Sequence, residues 1–403
     1  MSCKLSHLGV LAALSGALWA QPLPDDQGTI LKRKIESGET KLEWATKLGY
    51  LPAVLKEFDV DPESQVLVFS KTSFQSPKID PKHPRAIFFN DVTTVGSVQG
   101  SDVLELAALG AKDGIGFYTM EARQSAPLKI ERQGEACLSC HAPVNQGIGG
   151  VVVNSVYPNR EGTPLFLGVG TFAQTIDHRT PLEDRWGGWY VSGTHGPVRH
   201  MGNAVAPDPL HPGDLEEAGS QNLTSLATKF DSSNYLRPTS DLVALMTLEH
   251  QVTMMNFISR LAAYSNLSRG DYATNEKRFN ALVEDMLAYM LFVDETRLKS
   301  PVKGVSGFSK NFEARGPKDG QGRSLRDFDL QKRMFKYPLT YMIYTEPFDK
   351  MPAKARDRVL KRLHEVLTGE DKSERFAKIA ATDKKNVLEI LRATKPNLPD
   401  YWR

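Results

Sequence analysis

Cysteine is scarce in this chain, with three residues among 403. Cys3 lies at the very start of the sequence, and Cys137 and Cys140 form one closely spaced pair. A structural zinc site takes four ligands, commonly from two such pairs, and this chain has no second pair. The cysteine content therefore argues against a zinc site.

The sequence also lacks a strong charge of either sign and a long apolar run. Its formal net charge is +2, so composition gives no reason to expect nucleic acid or an anionic membrane surface as a partner. After the first twenty residues, no apolar run reaches the roughly 20 residues that span a bilayer. We found no internal repeat, Ser-His-Asp arrangement, phosphate loop or calcium loop. We therefore expect no nucleic-acid partner and no membrane span in the mature protein.

Residues 1–20 have the features of a secretory signal peptide. Lys4 supplies a positive charge, an apolar run follows over residues 8–19, and Ala20 offers a small residue for cleavage. The run is too short to cross a bilayer. Cys3 lies at the start of this segment, so we expect no lipoprotein anchor. The sequence predicts a periplasmic protein that keeps only the closely spaced cysteine pair.

That pair belongs to the sequence Cys137-Leu138-Ser139-Cys140-His141, which has the pattern C-x-x-C-H. Two thiols at this spacing can form thioethers to the two vinyl groups of one porphyrin, and the next histidine can supply an axial imidazole. The pattern resembles the haem-attachment sequence of c-type cytochromes. This resemblance implies one covalently attached haem c, held by Cys137 and Cys140, with His141 as proximal ligand. The alternative is a redox dithiol or a structural disulfide, for which the histidine has no special role.

Apolar periodicity predicts an α+β fold. Residues 21–60 are predicted to form a helical N-terminal arm, residues 61–205 a strand-rich haem-binding region, and residues 239–403 a helical region packed on it. The short connections favour antiparallel pairing of the strands. The order of strands around the C-x-x-C-H sequence resembles that of PAS-like periplasmic haem sensor domains, which implies a PAS-like sheet.

Individual elements are predicted as follows. Strands are expected at residues 65–70, 85–90, 95–98, 104–109, 114–119 and 186–191, with a hairpin formed by 150–157 and 164–172. Helices are expected from Thr239 or Ser240 to about Tyr264, and at residues 275–298, 353–368 and 384–394. Residues 301–325 are rich in Gly, Lys and Ser and are expected to form a loop.

The group opposite His141 decides what such a haem does. A protein His or Met there would suit electron transfer, whereas an open position would let small molecules bind the iron. His195 and His200 are candidate ligands because they lie in a glycine-rich loop that can approach a cofactor closely. His250 is a third candidate, because it lies in an apolar stripe of a predicted helix, where an unpaired polar group would be costly. The remaining alternatives are an open site or a thioether from Met201, Met254 or Met255.

Aromatic and arginine side chains near the same loop are further candidates for haem contacts. Trp186, Trp189 and Tyr190 can stack on a porphyrin edge, and cross-strand core packing is the alternative. Arg185 and Arg199 can pair with haem propionates, because their planar fork suits carboxylates, and a solvated charge is the alternative.

Three segments, RWGGWY at 185–190, THG at 194–196 and RHMGN at 199–203, resemble large single-haem c-type proteins of Gram-negative bacteria. This resemblance implies no particular reaction. We predict a periplasmic monohaem c-type cytochrome that exchanges single electrons with a redox partner protein or a small-molecule donor or acceptor. The alternatives are a peroxidase-like haem enzyme with an open distal site and a haem-based sensor or gas-binding module. The chain is far longer than one haem requires, which favours an additional substrate or partner site.

Overall fold

The computed structural model of the chain describes residues 26–124, 128–166, 173–265 and 272–403. It confirms an α+β protein, with an antiparallel sheet in the N-terminal half and helices in the C-terminal part. The predicted signal peptide, residues 1–20, lies outside the described residues. In the described part of the chain, no helix combines the length and the hydropathy needed to cross a membrane.

The main sheet has seven antiparallel strands within the described ranges. They are β1 (Val66–Val68), β2 (Arg85–Phe89), β3 (Thr93–Ser97), β4 (Val103–Leu109), β5 (Ile115–Glu121), β6 (Lys129–Gln133) and β10 (Trp189–Tyr190). Strands β1 to β6 are adjacent in space in the order of the sequence, and β10 pairs with the remaining edge of β1. The sheet is therefore a meander extended by one later strand.

Side chains alternate between two buried faces of this sheet, as the period of two in a strand requires. One face, which we call the inner face, carries Val66, Val68, Phe89, Ala107, Leu109 and Phe117 and packs against the C-terminal helices. The opposite, outer face carries Leu67, Phe88, Leu106, Tyr118 and Met120. The outer face is covered by the N-terminal helices α1 (Gln27–Glu36) and α2 (Leu51–Glu57). The sheet thus lies between two helical layers.

Two smaller sheets follow. Strand β7 (Val153–Pro158) pairs with β8 (Pro164–Leu165) and with β9 (Ala173–Ile176), and β11 (Gly193–Thr194) pairs with β12 (Lys303–Gly304). The β7–β8 pairing confirms the start of the predicted hairpin, and residues 167–172 of its second strand lie outside the described residues.

The helices of the C-terminal region pack on the inner face. They are α4 (Leu242–Ser265), α5 (Tyr272–Met290), α6 (Phe308–Ala314), α7 (Glu346–Asp349), α8 (Ala353–Thr368), α9 (Glu374–Ala377) and α10 (Ala381–Thr394). Helix α8 has the predicted bounds, and Gly369 follows it in the left-handed conformation that ends many helices.

Several predicted boundaries were wrong for local reasons. Helix α4 is capped by Asp241, not by Thr239 or Ser240, because the Asp241 carboxylate accepts the backbone N–H groups of residues 243 and 244. Helix α5 ends at Met290, close to the left-handed Phe292. The strand predicted at 186–191 shortens to β10 because Trp186 and Gly188, which precede it, have φ +68° and +85°. The predicted loop 301–325 contains α6 and β12.

Strand β6 was missed altogether. Its sequence, KIERQ, has one strongly apolar residue, and Ile130 is its buried side chain. Pairing with β5 in the register Phe117 to Gln133 and Met120 to Ile130 stabilises a segment whose own composition does not predict a strand.

Candidate cofactor site

The C-x-x-C-H sequence forms a short helix, α3 (Glu135–His141), that begins just after β6. Residues three and four positions apart share one side of a helix, so Cys137, Cys140 and His141 lie along the same side of α3. Cys137 is half-buried and Cys140 is exposed, and no disulfide joins them. Burial raises the pKa of the Cys137 thiol, with Glu105 adding to the effect. A redox dithiol needs the opposite shift, so this environment does not favour that alternative.

A cavity of about 750 Å³, including its open mouth, separates α3 from the inner face of the sheet. Cys137 and His141 line one part of it. The sheet, β7 and α4 supply an apolar wall that includes Ile87, Ala107, Phe117, Val153, Leu248 and Val252. Cofactor sites are typically concave, largely apolar spaces with a few polar groups. The lining of the space beside α3 therefore has the character of a cofactor site.

His141 is oriented by a single backbone hydrogen bond. Its Nδ1 lies 2.7 Å from the carbonyl oxygen of Gly150, which can only accept, so Nδ1 carries the proton. The imidazole packs on Phe117 with 4.4 Å between ring centroids. Burial lowers the pKa of His141, which favours the neutral ring. Among the described residues Nε2 has no hydrogen-bond partner, and a neutral imidazole fixed in this way presents Nε2 as a metal ligand.

Asn256 of α4 holds the segment that orients His141. Its Oδ1 accepts the Val151 N–H at 2.9 Å, and its Nδ2 donates to the Val151 carbonyl at 2.7 Å. The adjacent Gly150 has no space for a side chain, because a Cβ there would lie 2.4 Å from the Cβ of Asn145. The carbonyl that orients His141 is therefore fixed by α4. Sequence reasoning missed Asn256, although an asparagine inside an apolar helix is a signal that could have identified it.

The polar group at the cavity wall is an ion pair between Arg85 of β2 and Glu105 of β4. It spans β3 at Gly96, where a Cβ would lie 2.7 Å from Arg85 Nη2 and 3.1 Å from Glu105 Oε2. Glu105 also accepts hydrogen bonds from Ser73 Oγ at 3.0 Å and Gln75 Nε2 at 2.6 Å. Sequence reasoning missed this pair, whose signal is a charge at an inward position of each predicted strand.

His250 lies in a different part of the core. Its Nε2 is 2.8 Å from Thr340 Oγ1 and its Nδ1 is 2.9 Å from Nδ1 of His178, so both ring nitrogens have partners. The ring stacks on Tyr289 and Phe292. Burial lowers the pKa of His250 to about 3. Among the described residues, the cavity beside α3 is lined by neighbours of His250 on α4 but not by His250 itself.

The apolar stripe that singled out His250 was not selective, because α4 is buried on nearly all sides. Of its 24 residues, 19 are buried, and they include Met254 and Met255. A helix buried all round gives no single face that identifies a ligand. Neither methionine contributes to the described wall of the cavity.

His195 and His200 form hydrogen bonds with backbone groups of their own loop and of Asn222. The Nδ1 of His195 donates to the Val198 carbonyl at 2.6 Å and its Nε2 accepts the Asn222 N–H at 3.1 Å. His200 Nδ1 accepts the Gly202 N–H at 3.0 Å, and burial lowers its pKa to about 3. The structure does not bring these two histidines, or the neighbouring Met201, to the described wall of the cavity.

The arginines proposed for propionate binding have other partners. Arg185 forms a buried ion pair with Glu249, which also accepts the Trp186 indole N–H at 3.2 Å. Arg199 is exposed and pairs with Glu217. Trp189 is the one of the three candidate aromatics that lines the cavity, and its indole N–H donates to the Asn154 carbonyl at 2.7 Å.

Within the described ranges, no group of three or more His, Cys, Asp or Glu side chains is placed to hold a metal ion. A haem differs from such a site, because its porphyrin supplies four ligands and the protein supplies only axial ones. No family model, no curated protein and no solved structure matches the chain. The likeness to c-type cytochromes and to PAS-like domains therefore remains a prediction from the sequence.

Proposed function

We propose that this chain is a periplasmic monohaem c-type protein that binds a small molecule at the haem iron. Cys137 and Cys140 would hold one haem c covalently, His141 would be the proximal ligand, and the cavity beside α3 would enclose the porphyrin. When bound, the haem supplies one-electron redox chemistry and an iron that can accept a ligand.

One observation carries the proposed attachment: His141 is neutral, fixed through Nδ1, and has an unused Nε2 beside an apolar cavity. Cys137 lines the same cavity, and Cys140 follows it on the same side of α3. The apolar wall would shield the porphyrin faces from water. These features fit the group that the C-x-x-C-H sequence implies.

A second observation favours an open axial position over a carrier with two protein ligands. Among the described residues that line the cavity, His141 is the sole His or Met. The internal segments outside the described ranges, 125–127, 167–172 and 266–271, contain neither residue type. The haem enzyme and gas-binding alternatives therefore gain support relative to simple electron transfer with a redox partner.

The attachment is tested by haem-stained denaturing gels of the purified periplasmic protein. The double variant Cys137→Ala/Cys140→Ala should show no covalent haem at this mass, because both thioether sulfurs are gone. Ser139→Ala is the matched control: it alters an exposed side chain of the same helix and should keep the haem. A haem-stained band in the double variant would refute the proposed attachment.

The open position is tested by optical spectra of the oxidised and reduced protein, with and without carbon monoxide. We expect a high-spin oxidised spectrum and a clear carbon monoxide shift after reduction. A low-spin spectrum that carbon monoxide leaves unchanged would mean that a protein side chain fills the position, and it would restore electron transfer as the better function. If carbon monoxide does shift the spectrum, an assay of peroxide turnover would separate a haem enzyme from a gas-binding module.

A further inference from the structure

We propose that Arg85 binds a small anionic ligand at the open side of the haem iron, with Glu105 as its positioning residue. This inference rests on the proposed function and names the ligand class of the same cavity. It concerns ligands such as azide, nitrite or the peroxide anion, which present a negatively charged atom to a guanidinium.

The strand order places Arg85 away from the proximal histidine. His141 packs on Phe117, which lies on β5, whereas Arg85 and Ile87 lie on β2. Strands β2 and β5 are separated by β3 and β4, and the Arg85 guanidinium lies between them, across β3 and beside Glu105 of β4. The same cavity is lined by all four of these side chains, His141, Phe117, Arg85 and Ile87. A ligand on the side of the cavity opposite His141 would therefore meet the guanidinium that lies over β3.

Arg85 is held rigidly but is not fully hydrogen-bonded. Glu105 engages Nη2, and Gly96 leaves the space in which the guanidinium lies across β3. The Nε of Arg85 is buried and has no hydrogen-bond partner among the described residues. A buried donor without a partner is costly, so an acceptor at this point would be bound favourably.

The chemistry of this donor selects an anion. A guanidinium stays charged at all relevant pH values and donates in a fixed plane. The Glu105 carboxylate already accepts hydrogen bonds from Arg85, Ser73 and Gln75, so it is not the group that would bind a ligand. Thr94 and Thr119 also place hydroxyl groups on this wall. Apolar surroundings strengthen a charge-assisted hydrogen bond, and an anionic acceptor gains far more from the guanidinium than carbon monoxide, a weak acceptor, does.

The experiment compares an anionic with a neutral ligand on the intact haem protein. Azide binding to the oxidised form and carbon monoxide binding to the reduced form are titrated optically in wild type, Arg85→Gln and Arg85→Lys. Arg85→Gln should weaken azide about tenfold or more, the usual size of one lost charge-assisted hydrogen bond. Carbon monoxide affinity should change less than about twofold, and Arg85→Lys should keep part of the azide affinity.

Two controls address folding. Arg199→Gln removes an exposed arginine outside the cavity and should leave both affinities unchanged. Arg85→Gln/Glu105→Gln avoids leaving a half-buried carboxylate without its partner, and it should lose azide affinity as the single variant does. Covalent haem content, measured on each variant, confirms that the proteins compared are loaded.

The possible failures are distinguishable. If wild type binds azide and carbon monoxide but Arg85→Gln changes neither affinity, Arg85 does not act on the ligand, and this inference alone is overturned. A shift of the haem midpoint potential with unchanged azide affinity would assign Arg85 to a haem propionate, which also overturns it. If wild type binds neither ligand, the open axial position fails together with the inference. If the wild-type protein carried no covalent haem, the proposed function and this inference would both be overturned, because both assume an attached haem.

Discussion

The surroundings of His141 and His250 differ in one decisive respect. Both histidines lie on helices, and burial lowers the pKa of each, so both rings are neutral. His141 uses one nitrogen on a backbone carbonyl and has its other nitrogen unused beside a cavity. His250 uses both nitrogens on Thr340 and His178 within packed core. A buried neutral imidazole is therefore a plausible ligand only where one nitrogen is unused and space is adjacent.

The hydrogen bonds around His250 form a continuous chain through the core. Thr340 Oγ1 accepts the Met342 N–H at 3.3 Å, so its own proton can be donated to His250 Nε2. His250 Nδ1 and His178 Nδ1 share one proton between them, and His178 Nε2 is buried without a hydrogen-bond partner among the described residues. The carbonyl of His250 accepts the Tyr289 hydroxyl at 3.2 Å. This arrangement stabilises the core, and no part of it reaches the described wall of the cavity.

The largest expected effect comes from exchanging the two histidines for alanine, one at a time. His250→Ala should lower the free energy of unfolding by about 3 kcal/mol, because it opens a cavity in the core and removes the hydrogen bonds of His250 to Thr340 Oγ1 and His178 Nδ1. His141→Ala should cost about 1 kcal/mol, the value of one hydrogen bond. Chemical denaturation measures both, and the optical spectrum of each variant gives the second readout.

The change in the haem spectrum should be larger for His141→Ala than for His250→Ala, which is the reverse of their order in loss of stability. His250→Ala should keep the wild-type haem spectrum, whereas His141→Ala should change it, since it removes the proposed proximal ligand. The comparison would fail if His250→Ala altered the spectrum and a conservative His250→Gln variant restored stability but not the spectrum. That pattern would identify His250 as a ligand to the iron.

A smaller effect is expected from Asn256, which connects the His141 region to α4. Asn256→Ala should lower the free energy of unfolding by about 2 kcal/mol, because the buried N–H and carbonyl of Val151 lose their partners. Ser259→Ala is the matched control one turn further along α4. Its buried hydroxyl has no partner among the described residues, so its removal should cost little.

Asn256→Ala should also shift the optical spectrum slightly towards that of His141→Ala, because the Gly150 carbonyl is no longer fixed. Equal losses of stability in Asn256→Ala and Ser259→Ala, with identical spectra, would show that Asn256 is an ordinary core residue and does not position His141.

The last prediction concerns the dependence of stability on pH. The folded pKa values of His250 and His200 are about 3, below the ordinary value of 6.5. The unfolded chain therefore binds more protons between these values, and the free energy of unfolding should fall as the pH decreases from 6.5 towards 3. Each such histidine contributes a slope of at most about 1.4 kcal/mol per pH unit.

Denaturation midpoints at several pH values measure this slope. His250→Ala should have a shallower slope than wild type, because one depressed histidine is gone. An unchanged slope in that variant would mean that His250 is protonated in the folded protein, which contradicts its two neutral hydrogen bonds.

Much of the local structure could be predicted because it depends on patterns within short segments. The alternating apolar residues of β2, β4 and β5 indicated strands, and the period of α8 together with Gly369 indicated the helix that is observed. Strand β6 could not be predicted in this way, since its polar segment is stabilised by pairing with β5. For α4, the apolar content was clear, but which of its sides meets which neighbour depends on tertiary packing.

By itself, the sequence determined the α+β class, the antiparallel pairing of short strands, and the location of C-x-x-C-H at residues 137–141, since these depend on local composition and spacing. Only the tertiary structure decided which polar groups lie at the cavity. Arg85, Glu105 and Asn256 are distant from His141 in sequence, and they approach its surroundings because strand order and helix packing determine distances that no local pattern encodes. His195, His200 and His250 are placed elsewhere for the same physical reason.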